Sequence, residues 1–291
     1  MARYMLQNDK IAISVDSLGA ELRSLKDIRT GQEYMWEANP IFWGRTSPIL
    51  FPIVGSLKDK RYTYHEKTYT LPQHGFAREM EFSLLKKEDH KICLGIQSNG
   101  DTLEDYPFLF TLEIEYEIKD RQVEIIWRVR NKDQKKMHFS IGGHPAFICP
   151  FIPNTKKTEH YIQFDVKNKV ISTSIVEGGL AAHSQVTIEL DNGMLPITED
   201  LFDLDALIIE EHQAHRVALL TPNKKPYLTV EFKAPLFGIW SPPKKNAPFI
   251  CIEPWYGRCD KYDFHGSLEN REWSNTLDPS EKFEESYKIL I

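Results

Sequence analysis

Residues 110–131 read FTLEIEYEIKDRQVEIIWRVRN, and their alternation decides the fold class. Leu112, Ile114, Tyr116 and Ile118 alternate with Glu113, Glu115 and Glu117. After a short turn at Asp120, Val123, Ile125, Trp127 and Val129 alternate with Glu124, Arg128 and Arg130. A period of two sends every other side chain to one face, so the stretch predicts an antiparallel hairpin with one apolar and one charged face. On the charged face acidic residues of one strand meet basic residues of the next, each pair contributing ~0.2–1 kcal/mol.

The hairpin runs directly into FSIGGHPAF at Phe139–Phe147. Gly142 and Gly143 permit backbone geometry closed to other residues, and Pro145 removes a ladder donor while biasing His144 towards an extended conformation. His144 is therefore expected on a stiff, irregular rim and not in a helix or a central strand. Two other stretches set a titratable group among turn residues and aromatics: LPQHGFAR at Leu71–Arg78 carries His74, and CIEPWYGRCD at Cys251–Asp260 carries Glu253. One such motif is a weak signal. Three spread along the chain point to a site assembled by the fold.

Elsewhere the chain reads as short strands and turns. Arg61–Leu71 alternates Tyr and Thr in the manner of a hairpin, and Tyr161–Leu190, Val217–Leu220, Tyr227–Phe232 and Phe237–Trp240 are strand-like. Phe42–Gly55 carries two prolines inside an apolar run, which suits an irregular, partly buried segment. Arg45 stands alone there, and its partner is either a ligand oxygen or a carboxylate of the protein, because an unpaired buried charge is costly. Leu195–Glu211, with its early acidic residues, is expected to include a short helix. His212 and His215 have a spacing compatible with a metal pair, but no third ligand of fitting context accompanies them, so a solvated turn is the expectation and no metal is assigned. With no long amphipathic helix, repeat or linker, residues 1–291 predict one all-β, antiparallel domain.

At 291 residues length alone would suggest two domains, but all-β folds often reach this size as one. Hydrophobic residues at 41% suffice for a large core, and 12% aromatic content favours sheets and suits stacking on sugar rings. The net charge of −6, without a Lys/Arg block, argues against nucleic acid as a partner. No window approaches the ~18 uninterrupted apolar residues of a membrane span, and the N-terminus lacks the apolar core of a signal peptide, so a cytoplasmic protein is expected. Cys93, Cys149, Cys251 and Cys259 show no C-x-x-C spacing, which predicts reduced, buried thiols.

Six landmarks then carry a resemblance: RTSPILFPIVG from Arg45, YTLPQHGFAR from Tyr69, GGHPAF from Gly142, FDLDALI from Phe202, GIWSP from Gly238 and IEPWYG from Ile252. In this order, over nearly the whole chain, they resemble the aldose 1-epimerases, or galactose mutarotase-like proteins, and within them the LacX-like subgroup. The resemblance implies a large antiparallel β-sandwich with its site in a cleft on one sheet. It further implies Glu253 as general base, His144 as general acid, His74 as a second site imidazole, Asp205 as a ligand of sugar hydroxyls, Arg45 as the site arginine of the hexose-6-phosphate branch, and Arg78, which closes that branch's HGFAR motif, as a further substrate-binding residue. The chain departs from the galactose mutarotases near Ser56, where they carry a site arginine.

The reaction so implied needs no cofactor. A base takes the proton of the anomeric hydroxyl, an acid protonates the ring oxygen, and the open-chain aldehyde rotates before closing on its other face. Reference pKa values of ~4.3 and ~6.5 leave Glu ionised and His partly protonated near neutrality, subject to adjustment by the pocket. The expected partner is a small sugar or sugar phosphate. A non-catalytic sugar-binding protein on the same fold is the alternative, and a glycosidase would need Asp205 or Asp263 as a second carboxylate.

Overall fold

The alternation of residues 110–131 becomes two ten-residue strands, Phe110–Lys119 and Gln122–Asn131, paired antiparallel with Gln122 opposite Lys119. Leu112, Ile114, Tyr116, Ile118, Val123, Ile125, Trp127 and Val129 are all buried. On the outer face Arg128 bridges Glu115 at 3.3 Å and Glu284 at 3.2 Å, the cross-strand charge pairing that the pattern requires.

This hairpin lies inside a nine-stranded sheet. Its spatial order is Met194–Pro196, Tyr161–Phe164, Arg216–Leu220, Pro226–Phe232, Lys282–Leu290, Gln122–Asn131, Phe110–Lys119, Lys91–Gln97 and Ser83–Lys87. A second sheet runs Leu180–Glu189, Lys169–Val176, Leu207–Ile209, Leu236–Trp240, Phe249–Tyr256, Ile141–Gly143 and Ile49–Leu50, with Ala146–Ile148 also paired to Phe249–Tyr256. The computed structural model describes residues 1–291, and every pairing between its strands is antiparallel. One continuous core of 61 buried apolar residues draws on both sheets, which makes the chain a single antiparallel β-sandwich domain.

Three expectations change. Leu195–Glu211 contains no helix: after Met194–Pro196 the chain turns through residues 198–205 and re-enters a strand at Leu207–Ile209. Successive three-residue bonds, Asp203 N to Asp200 O and Asp205 N to Phe202 O, close these turns, and short acidic side chains favour such turns over a continued helix. The one α-helix is Gly100–Asp105, capped by Asn99, whose side chain accepts from Thr102 N at 2.9 Å while Thr102 Oγ1 accepts from Asn99 N. Glu253 does not sit among turn residues but in the middle of the eight-residue strand Phe249–Tyr256, buried on both sides.

Gly142 and Gly143 are also needed for a reason other than unusual backbone angles, since neither has positive φ. A Cβ on Gly142 would lie 2.6 Å from the Trp255 ring, and one on Gly143 would meet Tyr287 and Trp127 at 3.1–3.2 Å. Space is the constraint. All four cysteines are buried and free, and no helix is long and apolar enough to cross a membrane.

Trp127 sits at the centre of the core and touches both Tyr287 and Tyr256, with ring centroids 5.2 and 6.3 Å away. Trp127→Ala should therefore lower unfolding free energy by about 3–5 kcal/mol, read from denaturant midpoints, the loss usual for a large buried aromatic. A change below about 1 kcal/mol would mean that the two sheets pack independently of this ring.

Candidate active site

His144 and Glu253 meet because the sheet keeps its register across a break. Gly142 lies opposite Trp255 before the break and Ala146 opposite Cys251 after it. The same register puts His144 opposite Glu253. At this point two prolines, Pro145 and Pro254, supply no amide donors, and the ladder continues through Ile252 N donating to Pro145 O at 3.2 Å. On the other flank, His144 N donates to Pro48 O and Ala146 N to Thr46 O, so the segment is held from both sides. This is the stiff setting expected for His144, though it lies within the sheet and not on a rim.

His144 Nε2 and Glu253 Oε2 stand 3.2 Å apart in a cleft of about 350 Å³. The two atoms face each other without the alignment of a hydrogen bond, and neither Glu253 Oε2 nor His144 Nδ1 has a partner elsewhere. Trp43 stacks on the His144 ring at 4.7 Å and Trp240 meets it edge-on at 5.5 Å. The imidazole is thus fixed in orientation, with its Nδ1 buried and unpartnered and its Nε2 facing Glu253.

Burial acts on the pair in opposite directions on the pKa scale and to the same effect on charge. It pushes the Glu253 carboxyl well above its ordinary value, with the nearby Asp205 charge adding to the rise. It holds the His144 imidazole down to about 3, with Arg78 and Arg45 adding to the fall. The reference values would leave a carboxylate beside a partly protonated imidazole. The pocket instead favours a neutral acid beside a neutral imidazole, because each lone charge is costly without water. The pair still holds one transferable proton and one acceptor.

His74 reaches the same cleft from a turn, at φ +67 and followed by Gly75 at φ +71, a conformation that the turn residues of LPQHG serve. Its Nδ1 accepts from Gly55 N at 3.1 Å, which leaves the ring proton on Nε2. Burial, then His144, hold its pKa well below the ordinary value, so His74 is a neutral donor. Its ring stands edge-on to His144 at 5.6 Å.

Asp205 and Arg78 also line the cleft. Asp205 is fixed at φ +80, with its Oδ1 accepting from Ala206 N at 2.8 Å. Arg78 donates from Nη2 to Gln73 O, and its buried Nε lies 3.6 Å from Glu79 Oε1 without a hydrogen bond. Burial lowers its pKa to about 10, with Arg45 contributing. Arg45 does not line the cleft. It is paired with Glu79, so of the two partners open to it the structure supplies the carboxylate. Lys58 and Arg258 likewise have carboxylate partners, Asp59 for the former and Glu210 and Glu272 for the latter.

Motif reading missed Gln73, Trp43 and Trp240, all of which line the cleft. Each lies within or beside a landmark stretch: Gln73 precedes His74, Trp43 lies two residues before Arg45, and Trp240 is in GIWSP. Nothing in those stretches says which aromatic faces the cleft and which the core. His212 and His215 have ring centroids 5.3 Å apart and recruit no third ligand. His144, Cys251 and Glu253 do bring their donor atoms within 4.8 Å of one another. Burial pushes the Cys251 thiol well above its ordinary value, with the Glu253 charge adding to the rise.

The arrangement has known counterparts. The family model for aldose 1-epimerase matches residues 2–289. Protein LacX of Lactococcus lactis subsp. lactis, in its plasmid and chromosomal forms, is 31% identical over 98% of both chains. Among solved structures, a galactose mutarotase related enzyme from Lactobacillus acidophilus is 34% identical with a TM-score of 0.94, covering 99% of this chain and 97% of that one. A galactose mutarotase-like protein from Lactobacillus casei ATCC 334 is 28% identical with a TM-score of 0.92, covering 99% of both chains. With a family match over nearly its full length, the chain belongs to the aldose 1-epimerase family of carbohydrate isomerases.

Proposed function

We propose that the cleft interconverts the α and β anomers of an aldose or aldose phosphate by acid–base ring opening, with Glu253 as base and His144 as acid. The observation that carries this is the facing of His144 Nε2 and Glu253 Oε2 at 3.2 Å, unaligned with each other, in a cleft that both residues line. The neutral pair of the free protein and the reactive pair, carboxylate with imidazolium, contain the same number of protons. Sugar hydroxyls donating to Glu253 favour the second distribution at no change in net charge. Glu253 then takes the anomeric hydroxyl proton while His144 gives its proton to the ring oxygen. The C1–O5 bond breaks, the aldehyde rotates, and closure returns both protons.

The remaining residues hold the ring. Trp43 and Trp240 offer faces to the apolar side of a sugar. Neutral His74 donates from Nε2 to a sugar oxygen, and Asp205 accepts from hydroxyls. Arg78, a cation lining the cleft, suits a hydroxyl oxygen or a phosphate. Arg45, tied to Glu79, reaches substrate only if that pair opens, so Arg45→Ala should affect turnover less than Arg78→Ala in side-by-side kinetics. The reverse order would move the anion contact to Arg45.

Proton exchange spectroscopy on a panel of aldoses and their 6-phosphates tests the reaction and the substrate together. Sugar binding without accelerated anomer exchange for every compound would make the protein a binding module. Glu253→Gln and His144→Asn should each fold, bind sugar and lose turnover by ~10²–10⁴-fold. The double variant should lose less than the product, because the groups act as one unit. Wild-type turnover in Glu253→Gln would refute the mechanism.

The pH profile follows from the directions of the shifts. The pair gains a second proton only as pH falls towards the depressed His144 value of about 3, and loses its one proton only above the raised Glu253 value. kcat/KM should therefore show no rise or fall at the acid side until pH approaches the depressed His144 value, and should stay level up to the raised Glu253 value. A clear fall centred near the ordinary imidazole value of ~6.5 would show that burial does not govern His144.

A further inference from the structure

No motif marks Glu21, yet three observations converge on it. Its side chain is 12% exposed, at the end of the turn that leads into the strand Leu22–Asp27. Its Oε1 accepts from the backbone amides of Thr46 at 2.6 Å and Ser47 at 2.8 Å, both fully buried residues. The carbonyls of the same short segment, Thr46 and Pro48, accept from Ala146 and His144 at 2.8 and 3.1 Å. Residues 46–48 are thus clamped between one carboxylate and the backbone that carries His144.

The same turn reaches the other side of the cleft. Gly19, at φ +69, packs so tightly against the backbone of Arg78 that a Cβ would lie 2.8 Å from the Arg78 carbonyl. The Glu21 charge also acts favourably on the Arg78 guanidinium. Arg23 Nη1, 3.3 Å from Glu21 Oε1, holds the carboxylate in place. Two buried amides could be satisfied by a single neutral oxygen, so the use of an anchored carboxylate at this spot points to a demand for geometry.

We infer that Glu21 is a positioning residue for His144, fixing the height of the imidazole over Glu253 through the Thr46–Pro48 segment. The inference rests on the ring-opening reading for its kinetic consequence but not for its structural one. A displacement of about 1 Å at a reacting group can cost ~10²-fold in rate, so a shift of the segment should appear in kcat before it appears in binding.

Glu21→Asp withdraws the acceptor by one methylene, whereas Glu21→Gln keeps both the reach and an oxygen. Glu21→Asp should remain folded by circular dichroism, lose kcat by ~10–10²-fold with KM little changed, and displace the ¹⁵N resonances of the His144 imidazole. Glu21→Gln should restore most of kcat and the wild-type resonances. Wild-type kcat with unshifted His144 signals in folded Glu21→Asp would overturn the inference. If Glu21→Asp does not fold, Glu21→Gln decides: loss of exchange protection at the Thr46 and Ser47 amides with wild-type kcat also overturns it. If wild type turns over no aldose, the ring-opening reading falls alone, and the His144 resonances still report whether Glu21 positions the ring.

Discussion

The structure depends on a register that survives its own interruption. Where Pro145 and Pro254 remove two ladder donors, the strands on either side resume without a slip, and His144 is left directly across from Glu253. A slip of one residue would have turned one side chain of the pair to the opposite face of the sheet. The break therefore frees two side chains from regular sheet surroundings while the continuing ladder fixes their separation. Gly142 and Gly238 serve the same end, since each leaves room for Trp255, the residue two positions beyond Glu253 on its strand.

Electrostatics explains why such a pair sits in the sheet and not on a mobile loop. In a buried pocket a carboxylate or an imidazolium alone is unfavourable, and both groups shift towards their neutral forms. Two such groups facing each other can trade one proton without changing net charge, which makes a buried site suited to a reaction that starts and ends with the same protons. The charges around the cleft are arranged accordingly. Arg45 is paired with Glu79 and Arg258 with Glu210 and Glu272, while Arg78, whose Nε lies 3.6 Å from the same Glu79 carboxylate, lines the cleft.

Much of this architecture was legible in the amino-acid sequence. The alternation in residues 110–131 specified paired strands with one buried face, because a period of two has no other stable use at that length. His74, His144 and Glu253 stood out because an ionisable side chain beside Gly, Pro and aromatics is costly unless the fold employs it, and the cleft brings all three together. The sequence was a poorer guide to local form where side chains compete with the backbone. The acidic stretch before Asp205 turns where a helix was expected, and Glu253 occupies a regular strand despite the proline after it.

What only tertiary structure decided was partnership. Arg45 read equally well as a ligand or as half of an ion pair, and the carboxylate that it meets in the folded chain comes from Glu79, 34 residues away. Trp43 and Trp240 could not be told from core aromatics, since the same ring buries as well against a neighbour as against a sugar. Glu21 carried no signal at all, because its role is to satisfy two backbone amides that become buried only when residues 46–48 are laid against His144. Local sequence determines which groups need a partner. Which partner each one meets follows from strand register and packing, and those belong to the folded chain as a whole.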